Sequence, residues 1–276
     1  MNTQDLLLIS VGNTRTRLAT ARGDQIEPAR VLVNAEEASL NQAISEGLAR
    51  CGEGARALIA SVNDPVADRL GEKLAAGAKG TKVIRLGRGL AVPIRQNLAP
   101  DSGVGIDRLL NALGAYSRSG EACVVIDAGT AITVDLVDET GVFQGGVIAP
   151  GLAMMMKALH EGTAALPLVP PPTRPADSAG PLANPLGKNT VEAITKGCVA
   201  SAVGLARLLI DRYAELGGRY PRVVATGGDA PLLFGDDELI EHVVPDLTLI
   251  GMHAAWMTAG RGAGVAGGAG GAERAG

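Results

Sequence analysis

Two stretches more than a hundred residues apart, LLLISVGNT at 6–14 and CVVIDAGTA at 123–131, lie over each other strand on strand and glycine on glycine. A chain that repeats an apolar run, a polar strand end, a glycine turn and a second strand-like run predicts two related halves, each offering a hairpin loop to one ligand. One position breaks the match. Ser10 falls where the second copy has Asp127, so the first loop keeps its glycine and lacks the carboxylate.

The second copy is the richer. Val124 to Ile126 reads as the end of a buried strand and Thr133 to Val137 as its hairpin partner. Glu139, Thr140 and Gly141 then turn the chain into a third strand from Val142 to Ile148. Asp127 therefore sits at a strand end. Gly129 lets backbone amides approach an anion, and Thr130 adds an amide and a hydroxyl, so the turn has the makings of a phosphate cradle beside a carboxylate. A plain hairpin with a surface acid is the simpler reading of the same residues.

Composition narrows the function classes. With 276 residues, 46% hydrophobic and 20% charged, the chain can bury a large core in one or two domains. A net charge of −4 with 2% aromatics offers neither a basic face nor stacking platforms, so nucleic acid is not an expected partner. Cys51, Cys123 and Cys198 are widely spaced with no Cys-x-x-Cys, as expected of reduced thiols in a cytoplasmic protein. No basic start leading into an uninterrupted apolar run occurs, and neither a signal peptide nor a membrane span is expected.

Along the chain, helical spacing over Glu36–Arg50 aligns Leu40, Ala43, Ile44 and Leu48, with Gly47 on the same face weakening the pattern. Strands at Ala57–Val62 and Lys82–Leu86 flank a helix at Pro65–Ala76, the alternation of an α/β layer. Gly105, Ile106, Asp107 and Arg108 open an apolar helix through Tyr116, where an acid in the first turn also suits the helix dipole. A short helix is expected at Leu152–His160, and a Pro-rich surface loop at Leu166–Pro185. Thr190 is a candidate N-cap for a long helix to Leu216 with an apolar stripe of Ile194, Cys198, Val199, Ala202, Leu205 and Leu209. Val223–Ala225 is a short strand running into Thr226, Gly227, Gly228 and Asp229, a place where a nucleotide can pack closely or where Asp229 caps a helix. From Gly260 the chain is nearly all Gly and Ala, and a disordered tail is expected. A literal dinucleotide fingerprint at Gly262–Gly267 lacks a preceding strand and a following helix, and no P-loop motif occurs.

Three glycine loops after strands in two related halves resemble the actin-like ATPase (ASKHA) fold of sugar and acetate kinases, an α/β fold of two ribonuclease-H-like halves. Finer detail is similar to type III pantothenate kinases: VGNTRTRLA at 11–19, GIDR at 105–108, DAGTAITVDLV at 127–137, GGVIAPGLAMMMKALHEGTAALP at 145–167, NTVEAITKG at 189–197 and ATGGDA at 225–230. The likeness spans residues 6–256. It implies halves at 1–118 and 119–259 and a tail at 260–276.

The resemblance implies transfer of phosphate from ATP to pantothenate, the first step of coenzyme A biosynthesis, by a cytoplasmic homodimer using Mg²⁺ and a monovalent cation, K⁺ or NH₄⁺. By motif, Ser10, Val11, Gly12, Asn13, Thr14, Arg15, Thr16 and Arg17 would hold the ATP phosphates, joined by Thr130, with Gly227 and Gly228 bordering the adenosine. Asp107 would be the general base, and Gly105, Ile106 and Arg108 would help hold pantothenate together with Thr190 of the partner subunit. Asp127 would bind the monovalent cation.

Two features depart from the family pattern. Ser10 replaces the acid of Asp-x-Gly-Asn-Thr, and a hydroxyl is a poorer partner for a hard cation than a carboxylate. The segment Ile94–Pro100 lacks the aromatic found near pantothenate, and Pro100 is displaced by one residue. The first departure fits a non-catalytic homologue of the Baf type that binds nucleotide or pantothenate and regulates a partner. The second fits a kinase acting on another small hydroxyl compound.

Overall fold

The computed structural model describes residues 5–77, 80–100, 102–173, 182 and 184–266. The chain divides into two compact units. The first comprises residues to Ile94, Gly103–Ser117 and those from Thr248 on; the second comprises Arg95–Ser102 and Arg118–Leu247.

In the first unit, β1 (Leu6–Val11) is apolar on both faces and nearly all buried, as a central strand must be. It pairs antiparallel with β2 (Arg15–Arg22) and parallel with β5 (Arg56–Ser61). β3 (Gln25–Ile26) and β4 (Arg30–Val33) extend the sheet beyond β2, and β6 (Lys82–Arg85) extends it beyond β5. Helices α1 (Glu37–Cys51) and α2 (Asp64–Ala76) bury Leu40, Ile44, Leu70 and Leu74 in one cluster with Leu7, Ile9, Val11 and Ile59. Gly47, which weakens the helical pattern of α1, has a packing reason: a Cβ there would lie 2.6 Å from Cδ1 of Leu7, so the glycine lets the helix settle on the strand.

The same unit holds α3 (Ile106–Ser119) and α7 (Leu247–Ala266). α7 lies so close to α3 that a Cβ on Gly251 would meet the Leu110 carbonyl at 1.9 Å, while Thr248 Oγ1 donates to Asn111 Oδ1 at 2.7 Å. His253 Nε2 bonds the Gly23 carbonyl at 2.8 Å, and Arg56 stands 5.1 Å over the Trp256 ring. Residues beyond Thr248 thus group with the first unit, although chain order suggests the second. Residues 260–266, expected as the start of a disordered tail, continue α7; residues 267–276 lie outside the described set. The glycine fingerprint at Gly262 accordingly opens within a helix and not after a strand.

The second unit repeats the sheet. β8 (Cys123–Ala128) pairs antiparallel with β9 (Ala131–Val137), which pairs with β10 (Val142–Pro150). On its other side β8 runs parallel to β11 (Arg222–Thr226), followed by β12 (His242–Val243). Matched strand for strand, β4-β2-β1-β5-β6 and β10-β9-β8-β11-β12 have the same order, as the repeated sequence predicts. A short β7 (Arg95–Gln96) adds to β10, drawing Arg95–Ser102 into this unit.

Helices α4 (Leu152–Glu161), α5 (Thr190–Gly217) and α6 (Ala230–Phe234) complete the unit. α5 is long and apolar enough to cross a membrane, with a mean hydropathy of 1.5 in its most apolar window. Its Ile194, Cys198, Val199, Ala202, Ala206 and Ile210 are instead buried with Val124, Ile126, Val134 and Val223, the behaviour of a core helix. Leu205 and Leu209 of the expected stripe are only partly buried, and Val203, Ala206 and Ile210 take the deeper places. The N-cap is Asn189 and not Thr190: Asn189 Oδ1 accepts from the Glu192 amide at 2.9 Å, and Glu192 Oε2 accepts from the Lys188 amide at 2.9 Å. This reciprocal arrangement leaves Thr190 exposed in the first turn.

Candidate active site

The first loop closes through the Gly12 amide donating to the Arg15 carbonyl at 2.9 Å. Asn13, Thr14 and Arg15 form its exposed tip, whereas Val11 belongs to the core and Thr16 is fully buried. Ser10 is half-buried at the end of β1, between Arg17 on β2 and Ala60 on β5. The tip is held from behind by a residue with no motif to announce it. Asn34 donates Nδ2 to the carbonyls of Gly12 (2.8 Å) and Asn13 (3.2 Å), and its Oδ1 accepts from Thr16 Oγ1 at 2.8 Å. Of the residues expected to touch ATP, Val11 and Thr16 therefore face inward, and Asn13, Thr14 and Arg15 face out.

Asp107 also belongs to the first unit, in the first turn of α3. Its Oδ1 accepts from the Arg108 amide at 2.8 Å. Burial pushes its carboxyl above the ordinary carboxylate value of 3.8, while the Arg108 amide and charge pull the other way. A carboxylate held in a partly desolvated place, with a raised proton affinity, suits a general base. Gly105 is exposed beside it, and Ile106 and Arg108 are half-buried.

In the second unit three chain segments meet at the carboxyl ends of the parallel strands β8 and β11, where open α/β sheets bind ligands. The second loop closes through the Gly129 amide and the Ala131 carbonyl at 3.0 Å, and Thr130 is exposed at its tip. Behind it the Gly151 amide donates to the Thr130 carbonyl at 3.1 Å; a Cβ on Gly151 would lie 2.0 Å from the Gly129 carbonyl, so only glycine fits at the start of α4. Gly227 has φ +96°, and its Cβ would meet the Ala128 carbonyl at 2.2 Å and Asp127 Oδ1 at 2.6 Å. Asp127, Thr130, Gly227 and Gly228 are thereby brought into one corner. Asp229 occupies the N-cap position of α6 without a side-chain cap bond; its amide donates to the Ala128 carbonyl at 2.9 Å and ties this loop to β8.

No group of three His, Cys, Asp or Glu side chains that could hold a metal by itself occurs among the described residues. Cys51, Cys123 and Cys198 are free thiols; burial pushes Cys51 up to about 11 and Cys123 up to about 12.

Two halves with one strand order, each ending a β-hairpin in a glycine loop, define an actin-like ATPase fold. Consistent with that, the chain resembles the crystal structure of a conserved Campylobacter jejuni protein placed in the Baf family of transcriptional activators, with TM-score 0.55 and 21% identity over 92% of this chain and 99% of that one. That likeness shows the fold alone. The family model for type III pantothenate kinase matches residues 6–212. A type III pantothenate kinase of Akkermansia muciniphila is 38% identical over 253 residues, 90% of this chain and 97% of the relative. One from Dehalococcoides mccartyi is 31% identical over 262 residues, 91% and 94% of the two chains. The chain belongs to the type III pantothenate kinase family.

Proposed function

We propose that the protein transfers the γ-phosphoryl group of ATP to the hydroxyl of pantothenate, giving 4′-phosphopantothenate. The observation that carries this reading is the pairing of family membership with a half-buried Asp107 of raised proton affinity at the start of α3. Asp107 takes the proton of the acceptor hydroxyl as it attacks phosphorus, and Arg108 and the exposed edge at Gly105 help orient the acceptor. In the first unit the tip amides of Asn13 and Thr14 are the proposed phosphate contacts, and in the second unit Thr130, Gly227 and Gly228 are the proposed nucleotide contacts. Little covalent chemistry is asked of the protein, so positioning and charge neutralisation carry the rate.

The donor set fits a divalent ion held mainly by ATP. Mg²⁺ keeps several waters and takes one or two protein oxygens beside substrate phosphates, and the first loop offers the Ser10 hydroxyl. When bound, Mg²⁺ neutralises charge on the phosphates. Asp127, half-buried at the end of β8, is the residue proposed to hold a monovalent cation, K⁺ or NH₄⁺.

The proposed assembly is a cytoplasmic homodimer; Val191, Leu208 and Leu216, exposed along α5, leave apolar side chains for a partner subunit. In that dimer Thr190 of the partner subunit would reach pantothenate. A coupled assay of ADP release with and without pantothenate, Mg²⁺ and K⁺ tests the whole reading. ADP release that ignores pantothenate would overturn the acceptor, and release that persists without K⁺ would overturn the cation role.

A further inference from the structure

Asn34 follows β4 and is one of the few buried polar side chains of the first unit. Its backbone amide donates to the Thr14 carbonyl at 2.9 Å, in addition to the two bonds from its Nδ2 to the Gly12 and Asn13 carbonyls. Asn63, just before α2, sends its own Nδ2 to the Asn13 carbonyl at 3.3 Å, and the Asn63 amide is fixed by Ser61 Oγ at 2.9 Å. The carbonyls of three consecutive loop residues, Gly12, Asn13 and Thr14, are thus drawn to one side by two asparagines from different parts of the chain. Across a trans peptide, C=O and N–H point opposite ways. Drawing the Gly12 and Asn13 carbonyls inward therefore turns the amides of Asn13 and Thr14 outward, to the exposed side of the loop. Successive amides aimed the same way form an anion-binding concavity.

The chemistry of the clamp requires a carboxamide. Two carbonyls facing one end of the side chain demand the NH₂ there, and the Thr16 hydroxyl, donating at 2.8 Å, occupies the oxygen at the other end. An aspartate has the same shape and would set a lone pair against each carbonyl.

We propose that Asn34 is a positioning residue for phosphate binding: it does not touch the nucleotide, and it fixes the peptide planes that present the Asn13 and Thr14 amides to the phosphate chain. The proposal rests on the reading above that this loop takes the phosphates of ATP. A merely structural asparagine would affect every ligand alike, whereas a clamp on the loop acts only on ligands that carry phosphate.

The test is calorimetric titration of wild type, Asn34→Asp and Asn63→Ala with ATP and with adenosine in Mg²⁺ buffer, alongside thermal unfolding and steady-state kinetics. Asn34→Asp is expected to weaken ATP binding about tenfold and leave adenosine within about twofold, since only the phosphate-directed hydrogen bonds are lost. KM for ATP rises with it, and KM for pantothenate does not. Asn63→Ala shows the same selectivity to a smaller degree, because the Asn13 carbonyl keeps its bond from Asn34. Equal losses for ATP and adenosine, or undiminished ATP affinity in Asn34→Asp, overturn the proposal. Should Asn34→Asp fail to fold, the less buried Asn63 decides, and an unchanged ATP-to-adenosine ratio in Asn63→Ala overturns it. A wild type that prefers ATP to adenosine yet transfers nothing to pantothenate fails the kinase reading and leaves the Asn34 role standing. One with no such preference removes that role.

Discussion

A Cβ placed on Gly105 would lie 2.5 Å from Oδ1 of Asp107, so the carboxylate folds back over the residue that precedes its own helix. The same oxygen accepts the Arg108 amide, which fixes its direction. Gly105→Ala should therefore leave the fold intact while pushing the carboxylate aside. A displacement of about 1 Å at a reacting group can cost on the order of 10²-fold in rate, and kcat should fall by that order with ATP binding unchanged. Stopped-time kinetics together with nucleotide titration checks both halves; a kcat equal to wild type would mean that the carboxylate is not placed by Gly105.

Asp107→Asn should abolish pantothenate-dependent turnover and preserve ATP affinity, because the substitution keeps the shape and removes the base. Burial raises this carboxyl above 3.8 in the folded protein. Between 3.8 and the folded value the native state holds a proton that the unfolded chain has released, so stability falls as pH rises through that window and stays lower above it. The amide carries no such dependence. The melting temperature of Asp107→Asn relative to wild type should therefore rise with pH across the window and level off above it. In the wild type, kcat/KM should fall on acidification with a limb above 3.8. Finding that limb lower would remove Asp107 as the base.

Ser10→Asp restores a carboxylate at the end of β1, where Ser10 is half-buried. With the rest of the loop intact, the variant should reach half-maximal rate at lower Mg²⁺, since a carboxylate reaches a hard cation directly or through water. Initial rate against Mg²⁺ at saturating ATP and pantothenate is the measurement. Activity that collapses in the variant would show a site rebuilt around serine, with the added charge repelling the phosphates.

Gly227→Ala meets a backbone atom and not a flexible side chain: the Ala128 carbonyl stands 2.2 Å from the new Cβ, and φ is +96°. The loop must move away from β8, at a cost of about 2–4 kcal/mol in the stability of the second unit. Urea unfolding should show the loss, and ATP affinity should fall because the corner shared by Asp127, Thr130 and Gly228 opens. Unchanged unfolding would contradict the close approach.

Much of the frame was legible because it is local. Hairpins at both glycine turns, the helices starting near Glu36, Pro65 and Leu152, and the strands beside them follow from periodicities of two and 3.6 that each segment carries by itself. The motif residues were legible for the same reason, since strand, glycine and polar tip are consecutive. Asn189 escaped because Asn and Thr are both good caps and adjacent; the choice between them depends on the reach of Glu192.

What the sequence by itself determined was two copies of one strand-loop-strand unit, the acid that opens α3 and the glycines that follow β8 and β11. Tertiary structure alone decided the rest. α7 joins the first unit because Gly251 admits it against Leu110, a contact 141 residues apart in sequence (251 − 110) that no local pattern encodes. Asn34 and Asn63 reach the first loop from 22 and 50 residues away, and an asparagine after a strand looks the same whether or not a carbonyl waits opposite it. Periodicity reports which face of an element is apolar; which polar atom meets which across the fold is fixed only when the elements pack and every buried donor and acceptor must find a partner.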